Sequence, residues 1–259
     1  MSEILTITQV EKWIYEKLNN NKQPPKGWEE QINLVIGMKE ALLKKETNFD
    51  KTEIELQIGR LKELQYFLNK EEYSIPFEVP LAGIVQDGVI IIPIGTWKYL
   101  YNVYGLRGIV QIQMIPESKR WYMEIEGNQI YLKGEPLKEY SYELPDEELL
   151  KKWVNNKIRC PTTKEVWADL DNYYRTFLDI PELNYNALIL FTFQTWLQDL
   201  TEAAFYISIL GSWGAGKSAI LKALCYVSYR GMYGDCSTAV IAWSIDEERV
   251  TIFIDYIDS

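Results

Sequence analysis

The sequence predicts a multi-part α+β protein: an N-terminal helical bundle, a β-meander or small barrel, and then part of an α/β core. Three observations carry that expectation. Apolar residues recur at helical spacing through residues 1–72. From residue 73 to 143 β-branched and aromatic residues take over, broken by turn signals. Near residue 204 an apolar run leads into a glycine-rich loop and a second helical stretch. With a helical lead-in between them, the expected parts are 1–72, 73–143, 144–200 and 201–259.

The first helix opens at Thr6, which with Gln9 forms a capping box, and Leu5 with Val10 supplies the matching hydrophobic staple. Val10, Trp13, Ile14 and Leu18 line one face, and Asn19-Asn20-Asn21 followed by Pro24-Pro25 ends the helix. A second helix over residues 28–43 carries Ile32, Val35, Ile36, Lys39 and Leu43 on one side. A third begins near Asp50, with Glu53 in the dipole-favoured first turn and a stripe of Ile54, Ile58, Leu61, Leu64 and Leu68. That stripe spans little more than two heptads, which suits a small antiparallel bundle rather than a coiled coil.

In the β-rich part, Asp87-Gly88 between residues 81–85 and 89–94 is a hairpin signal. Residues 107–115 and 120–126 make two further strands, and Gly127-Asn128 turns into 129–133, for about five strands in all. Trp97, Tyr99, Tyr101, Tyr104, Trp121, Tyr122 and Tyr131 are expected as core and cross-strand pairs. A base-stacking surface is the alternative. Helical patterning returns at 146–154 and again after the Thr162/Glu165 capping box, and Pro181 separates that helix from an apolar one over 183–200.

Composition narrows the chemistry. The chain has no histidine, so Ser-His-Asp, Cys-His and His-rich zinc sites are excluded within it. Three cysteines, Cys160, Cys225 and Cys236, lack paired spacing and read as free thiols of a reducing compartment. No signal peptide is recognisable, and the apolar run at 187–197 is too short to span a bilayer, so a cytoplasmic protein without a membrane partner is expected. The formal charge is −10, with 11 basic and 13 acidic residues in 1–75, 6 and 8 in 76–143, and 10 and 16 in 144–259. Bulk electrostatics therefore gives no case for nucleic-acid binding, and only a local basic groove would serve.

The sharpest signal is Gly211-Ser212-Trp213-Gly214-Ala215-Gly216-Lys217-Ser218, which satisfies G-x-x-x-x-G-K-[ST] at every fixed position. A buried strand over 204–210 before it and a helix over 218–229 after it give the strand–loop–helix order that phosphate binding needs. Glycines let successive N–H groups converge on phosphate oxygens, and the helix N-terminus adds its dipole. Lys217 is the expected bridge to the β- and γ-phosphates, and Ser218 the Mg²⁺ ligand. Thirty-eight residues after Lys217, the apolar run 250–254 ends in Asp255, placed to complete the Mg²⁺ shell.

Residues 204–258 resemble P-loop ATPases of the additional-strand (AAA+ and RecA-like) class, and more narrowly helicase-type ATPases encoded with primases on phages, viruses and plasmids. The likeness rests on residues 207–218, on Leu224-Cys225-Tyr226, on Gly234-Asp235-Cys236-Ser237-Thr238-Ala239, and on Ile252-Phe253-Ile254-Asp255-Tyr256-Ile257-Asp258. It implies ATP and Mg²⁺ as ligands, with Lys217, Asp255 and Asp258 in catalytic roles. It also implies single-stranded or duplex DNA as a partner, with a homo-oligomer or a complementary C-terminal chain completing the motor. Two departures stand out. The catalytic glutamate of that class falls on Tyr256, which cannot act as a carboxylate base, leaving Asp258 as the substitute. The class also places a strand between the two nucleotide-binding strands, and nothing follows Ser259 to supply it. An ATP-binding fragment is thus expected, without hydrolysis by this chain alone. Two other readings compete: a P-loop kinase-class protein, and an interaction module in residues 1–145 with a vestigial loop.

Overall fold

The computed structural model describes residues 5–44, 50–201, 206–212, 214–234, 241 and 244–255. They form a mixed α/β architecture in two compact units, Met1–Pro136 with Pro145–Cys160, and Leu137–Leu144 with Pro161–Ser259.

In the first unit the caps set the helices. Both halves of the Thr6/Gln9 box are made at the start of α1 (Ile7–Asn20), and Asn21 stops it in the left-handed region at φ 51°. Helix α2 (Trp28–Leu43) follows the proline turn, and α3 (Lys51–Leu68) starts where Asp50 accepts from the N–H groups of Thr52 and Glu53. The apolar stripes meet as expected: Val10 and Ile14, Ile32 and Val35, Leu61, Leu64 and Leu68 are all buried.

The β-rich segment holds eight strands rather than about five. They are β1 (Glu78–Val79), β2 (Ile84–Gln86), β3 (Val89–Gly95), β4 (Lys98–Val103), β5 (Leu106–Gln111), β6 (Gln113–Ile115), β7 (Arg120–Ile125) and β8 (Asn128–Leu132). One sheet is the antiparallel meander β2-β3-β4-β5; the other runs β1-β8-β7-β6, with β1 parallel to β8. Strand β4 was missed because its following turn, Tyr104-Gly105, carries none of the usual Asn-Gly or Asp-Gly signature. Its two residues nevertheless take φ of 49° and 85°, the mirror-image geometry that suits a two-residue hairpin. Residues 107–115 are not one strand but two, divided at Ile112: its N–H still bonds Trp97 O at 3.1 Å, the next position in the β4–β5 register, and from Gln113 the chain pairs with β7 instead.

Helical and β-rich segments pack as one unit. Arg60, only 4 % exposed, donates to Gly105 O and to the carboxylates of Glu11 and Glu63, while Lys17 caps the α3 end by donating to Leu68 O at 2.9 Å. Helix α4 (Glu147–Val154), expected in the lead-in, joins this unit: the Arg107 guanidinium lies 4.1 Å from the Trp153 ring centre, and Lys98 pairs with Glu147 at 2.9 Å.

The second unit begins with α5 (Thr163–Phe177), opened by the Thr162/Glu165 box, and α6 (Glu182–Trp196), which tightens into a 3₁₀ turn at Gln198–Leu200 instead of continuing as one helix. Then come α7 (Lys217–Val227), β9 (Gly231–Tyr233), a π turn at Ser244–Glu248 and β10 (Thr251–Phe253), with β9 and β10 parallel. Tyr174, Leu188, Ile189, Leu224 and Phe253 make its core. Segment 137–144 is fastened here by Glu248, whose carboxylate accepts from the Ser141 N–H at 3.2 Å. Among the described residues no helix is long and apolar enough to cross a membrane.

Candidate functional site

Helix α7 positions the glycine loop. Its N-cap is Gly216 in the left-handed region at φ 81°, and Gly214 takes φ 77°; a side chain at either would be strained although neither faces a crowded space. The Ala215 N–H closes a turn onto Ser212 O at 3.2 Å, and Ala219 and Ile220 begin the helical ladder on Gly216 O. Lys217 and Ser218 therefore occupy the first turn, where N–H groups lack an intrahelical acceptor and the dipole favours an anion. No acidic side chain occupies that turn.

Lys217 curls back over its own loop, donating to Gly211 O at 2.8 Å and Ser212 O at 3.0 Å. An ammonium held by two neutral carbonyls can exchange them for more strongly charged phosphate oxygens. Across the loop, the Asp255 carboxylate accepts from Tyr233 Oη at 2.9 Å and lies near the Ser218 hydroxyl. The Ser218 and Tyr233 hydroxyls, Ser218 first, hold the Asp255 carboxyl below its usual value, and the Lys217 and Lys222 ammonium groups act in the same direction.

Two elements bring Asp255 there. Strand β10 pairs in parallel with β9, with Phe253 opposite Tyr233, so the chain leaving β10 passes the Tyr233 phenol. Strand β9 is in turn pressed against the end of α7: a Cβ on Gly231 would lie 2.1 Å from Cys225 O. The route from loop to helix to β9 to β10 thus returns the chain to the loop's own mouth.

The structure brings Gly211, Ser212, Gly214, Ala215, Gly216, Lys217, Ser218 and Asp255 together; Trp213 and Asp258 lie outside the described residues, as does Tyr256. The strand expected over 204–210 is a correction. Its described residues, 206–210, are assigned to no strand and join no ladder; Ile207 and Ile209 rest on the core, while Tyr206 is 95 % and Leu210 91 % exposed. Apolar composition made it look like a buried strand, yet a strand needs a neighbour for its backbone groups. Tyr233 was missed by sequence reasoning, since a tyrosine in an apolar strand carries no positional signal; only the β9–β10 register exposes its role.

A hydroxyl and a carboxylate at the foot of an anion-binding loop form an oxygen-only donor pair of the sort Mg²⁺ takes together with phosphate oxygens. Among the described residues no group of three or more His, Cys, Asp or Glu side chains converges, so phosphate oxygens and water would have to complete the shell. No family model, no curated protein and no solved structure matches this chain.

Proposed function

We propose that the second unit is the nucleotide-binding part of an additional-strand P-loop ATPase, and that the chain is an ATP-binding component of a replication or helicase-type motor acting on DNA. The observation that carries this reading is the approach of the strand-end Asp255 carboxylate, held by Tyr233 Oη, to Ser218 and Lys217 of the loop, although a helix and two strands separate them along the chain. A glycine turn that merely began a core helix would have no reason to recruit that carboxylate. In this reading the loop amides and Lys217 grip the triphosphate, and Ser218 and Asp255 hold Mg²⁺, which neutralises phosphate charge when bound.

With Tyr256 where a water-activating glutamate is needed, nucleotide is expected to bind and to be hydrolysed slowly or not at all. Titration of a fluorescent ATP analogue with Mg²⁺ tests the proposal, with Lys217→Ala as the control. Saturable binding abolished by that substitution is expected; no binding at millimolar analogue, or binding indifferent to Lys217, would sink it and leave the interaction-module reading.

A further inference from the structure

Among the six basic residues of 76–143, three converge on one groove at the end of the β1-β8-β7-β6 sheet: Lys119, Arg120 and Lys133. Two of the others are committed elsewhere, Lys98 to Glu147 and Arg107 to Glu63. The groove encloses about 660 Å³, within the ~300–1,000 Å³ typical of ligand pockets. Trp121, Met114 and Leu132 give it an apolar wall, and Trp97, itself 42 % exposed, extends the aromatic surface with its ring centre 5.0 Å from that of Trp121.

The charges are arranged unevenly. Arg120 pairs with Glu78 at 3.2 Å and lies 4.3 Å from the Tyr131 ring centre. Lys119 and Lys133 are exposed and have no ion-pair partner among the described residues; the carboxylates that line the same groove are Glu78 and Glu135. Lys119 is held at the tip of the β6–β7 connection, its N–H bonded to Ile115 O at 2.8 Å. Two unpaired ammonium groups beside a tryptophan wall match a chain that alternates phosphates with flat bases. Lysines suit backbone phosphates because they impose no fixed geometry, and an indole stacks on a base only when that base is outside a duplex. No asparagine or glutamine lines the groove to read base edges.

We infer that this groove binds single-stranded nucleic acid without sequence preference, Lys119 and Lys133 meeting phosphates and Trp121 stacking on a base. The groove itself stands apart from the second unit; the choice of nucleic acid over another polyanion rests on the replication-type reading above. The test is fluorescence anisotropy of a labelled oligothymidylate about 15 nucleotides long, titrated with the full chain over a range of salt. Binding at low salt is expected to weaken at least tenfold in Lys119→Gln/Lys133→Gln. The slope of log affinity against log salt should fall by about 1.4, at roughly 0.7 per phosphate contact on a single strand. Trp121→Leu should weaken binding and leave that slope unchanged, and an abasic strand of equal length should compete poorly. No binding by the native chain, no effect of the lysine pair, or equal competition by the abasic strand or by heparin would overturn the inference. The ATP analogue is titrated into the same proteins. Loss of nucleotide binding with the oligonucleotide retained would defeat the motor reading alone, and the converse would defeat the groove alone.

Discussion

At the scale of single residues, the proposed chemistry rests on Lys217 and Asp255. Lys217 is legible in sequence because its role follows from its place in a local loop; Asp255 is legible only as a carboxylate after an apolar run, and its partner Tyr233 not at all. The phenol donates to one carboxylate oxygen at 2.9 Å, which in the proposed site leaves the other oxygen for a metal. Removing that bond should loosen the metal's ligand rather than the phosphate cradle. Tyr233→Phe is therefore expected to weaken the Mg²⁺-dependent part of nucleotide affinity roughly tenfold, the lower end of losses for groups that orient metal ligands. Metal-free nucleotide binding should be unchanged; an equal loss with and without Mg²⁺ would show a merely structural role. The pH sign follows from the same bonds. Asp255 is held below its usual value, so its contribution to stability is complete above the ordinary aspartate range near ~3.9 and fades only as pH falls through the lower folded value. Tyr233→Phe should move that acid limb upward in pH.

At the scale of elements, close backbone approach decides where the site forms. Strand β9 lies beside α7 because Gly231 admits the Cys225 carbonyl; a Cβ there would be 2.1 Å from that oxygen and 2.9 Å from its carbon. Gly231→Ala must push β9 away, carrying Tyr233 and β10 with it. Thermal or denaturant unfolding should show a loss of about 1–3 kcal/mol, the usual effect of overpacking, and nucleotide affinity should fall with it. Unchanged stability would mean the helix end yields freely. Helices were easier to anticipate than strands: Thr6, Asp50, Asp146 and Thr162 cap α1, α3, α4 and α5 through contacts two or three residues away. Strand β4 and residues 206–210 depended on partners far along the chain, which no local pattern names. Residues 206–210 have the composition of a strand and lack the neighbour that would make them one.

For the whole molecule, a formal charge of −10 is compatible with both the proposed anion-binding loop and a groove whose two lysines have no ion-pair partner among the described residues. Net charge describes solubility and long-range steering, whereas binding responds to the few groups within reach of the ligand. A nucleotide that binds only the folded chain must raise its melting temperature. At a hundred times its Kd it should contribute about 2.7 kcal/mol, a shift of roughly 5–10 °C for a protein of this size. Differential scanning fluorimetry with Mg²⁺ and ATP should show that rise in the native chain and none in Lys217→Ala; equal shifts in both would place the nucleotide elsewhere. Sequence alone determined the helical periods, the caps, the Asp87-Gly88 hairpin and the phosphate loop, because each is written in residues close together along the chain. Tertiary structure alone decided that Arg60 and Lys17 would be buried between helices and sheet. It also decided that α4 joins the first unit, that three cations share one groove, and that Tyr233 meets Asp255. Those outcomes depend on which distant backbones lie close enough to exclude water, and distance in space is not recorded in the order of residues.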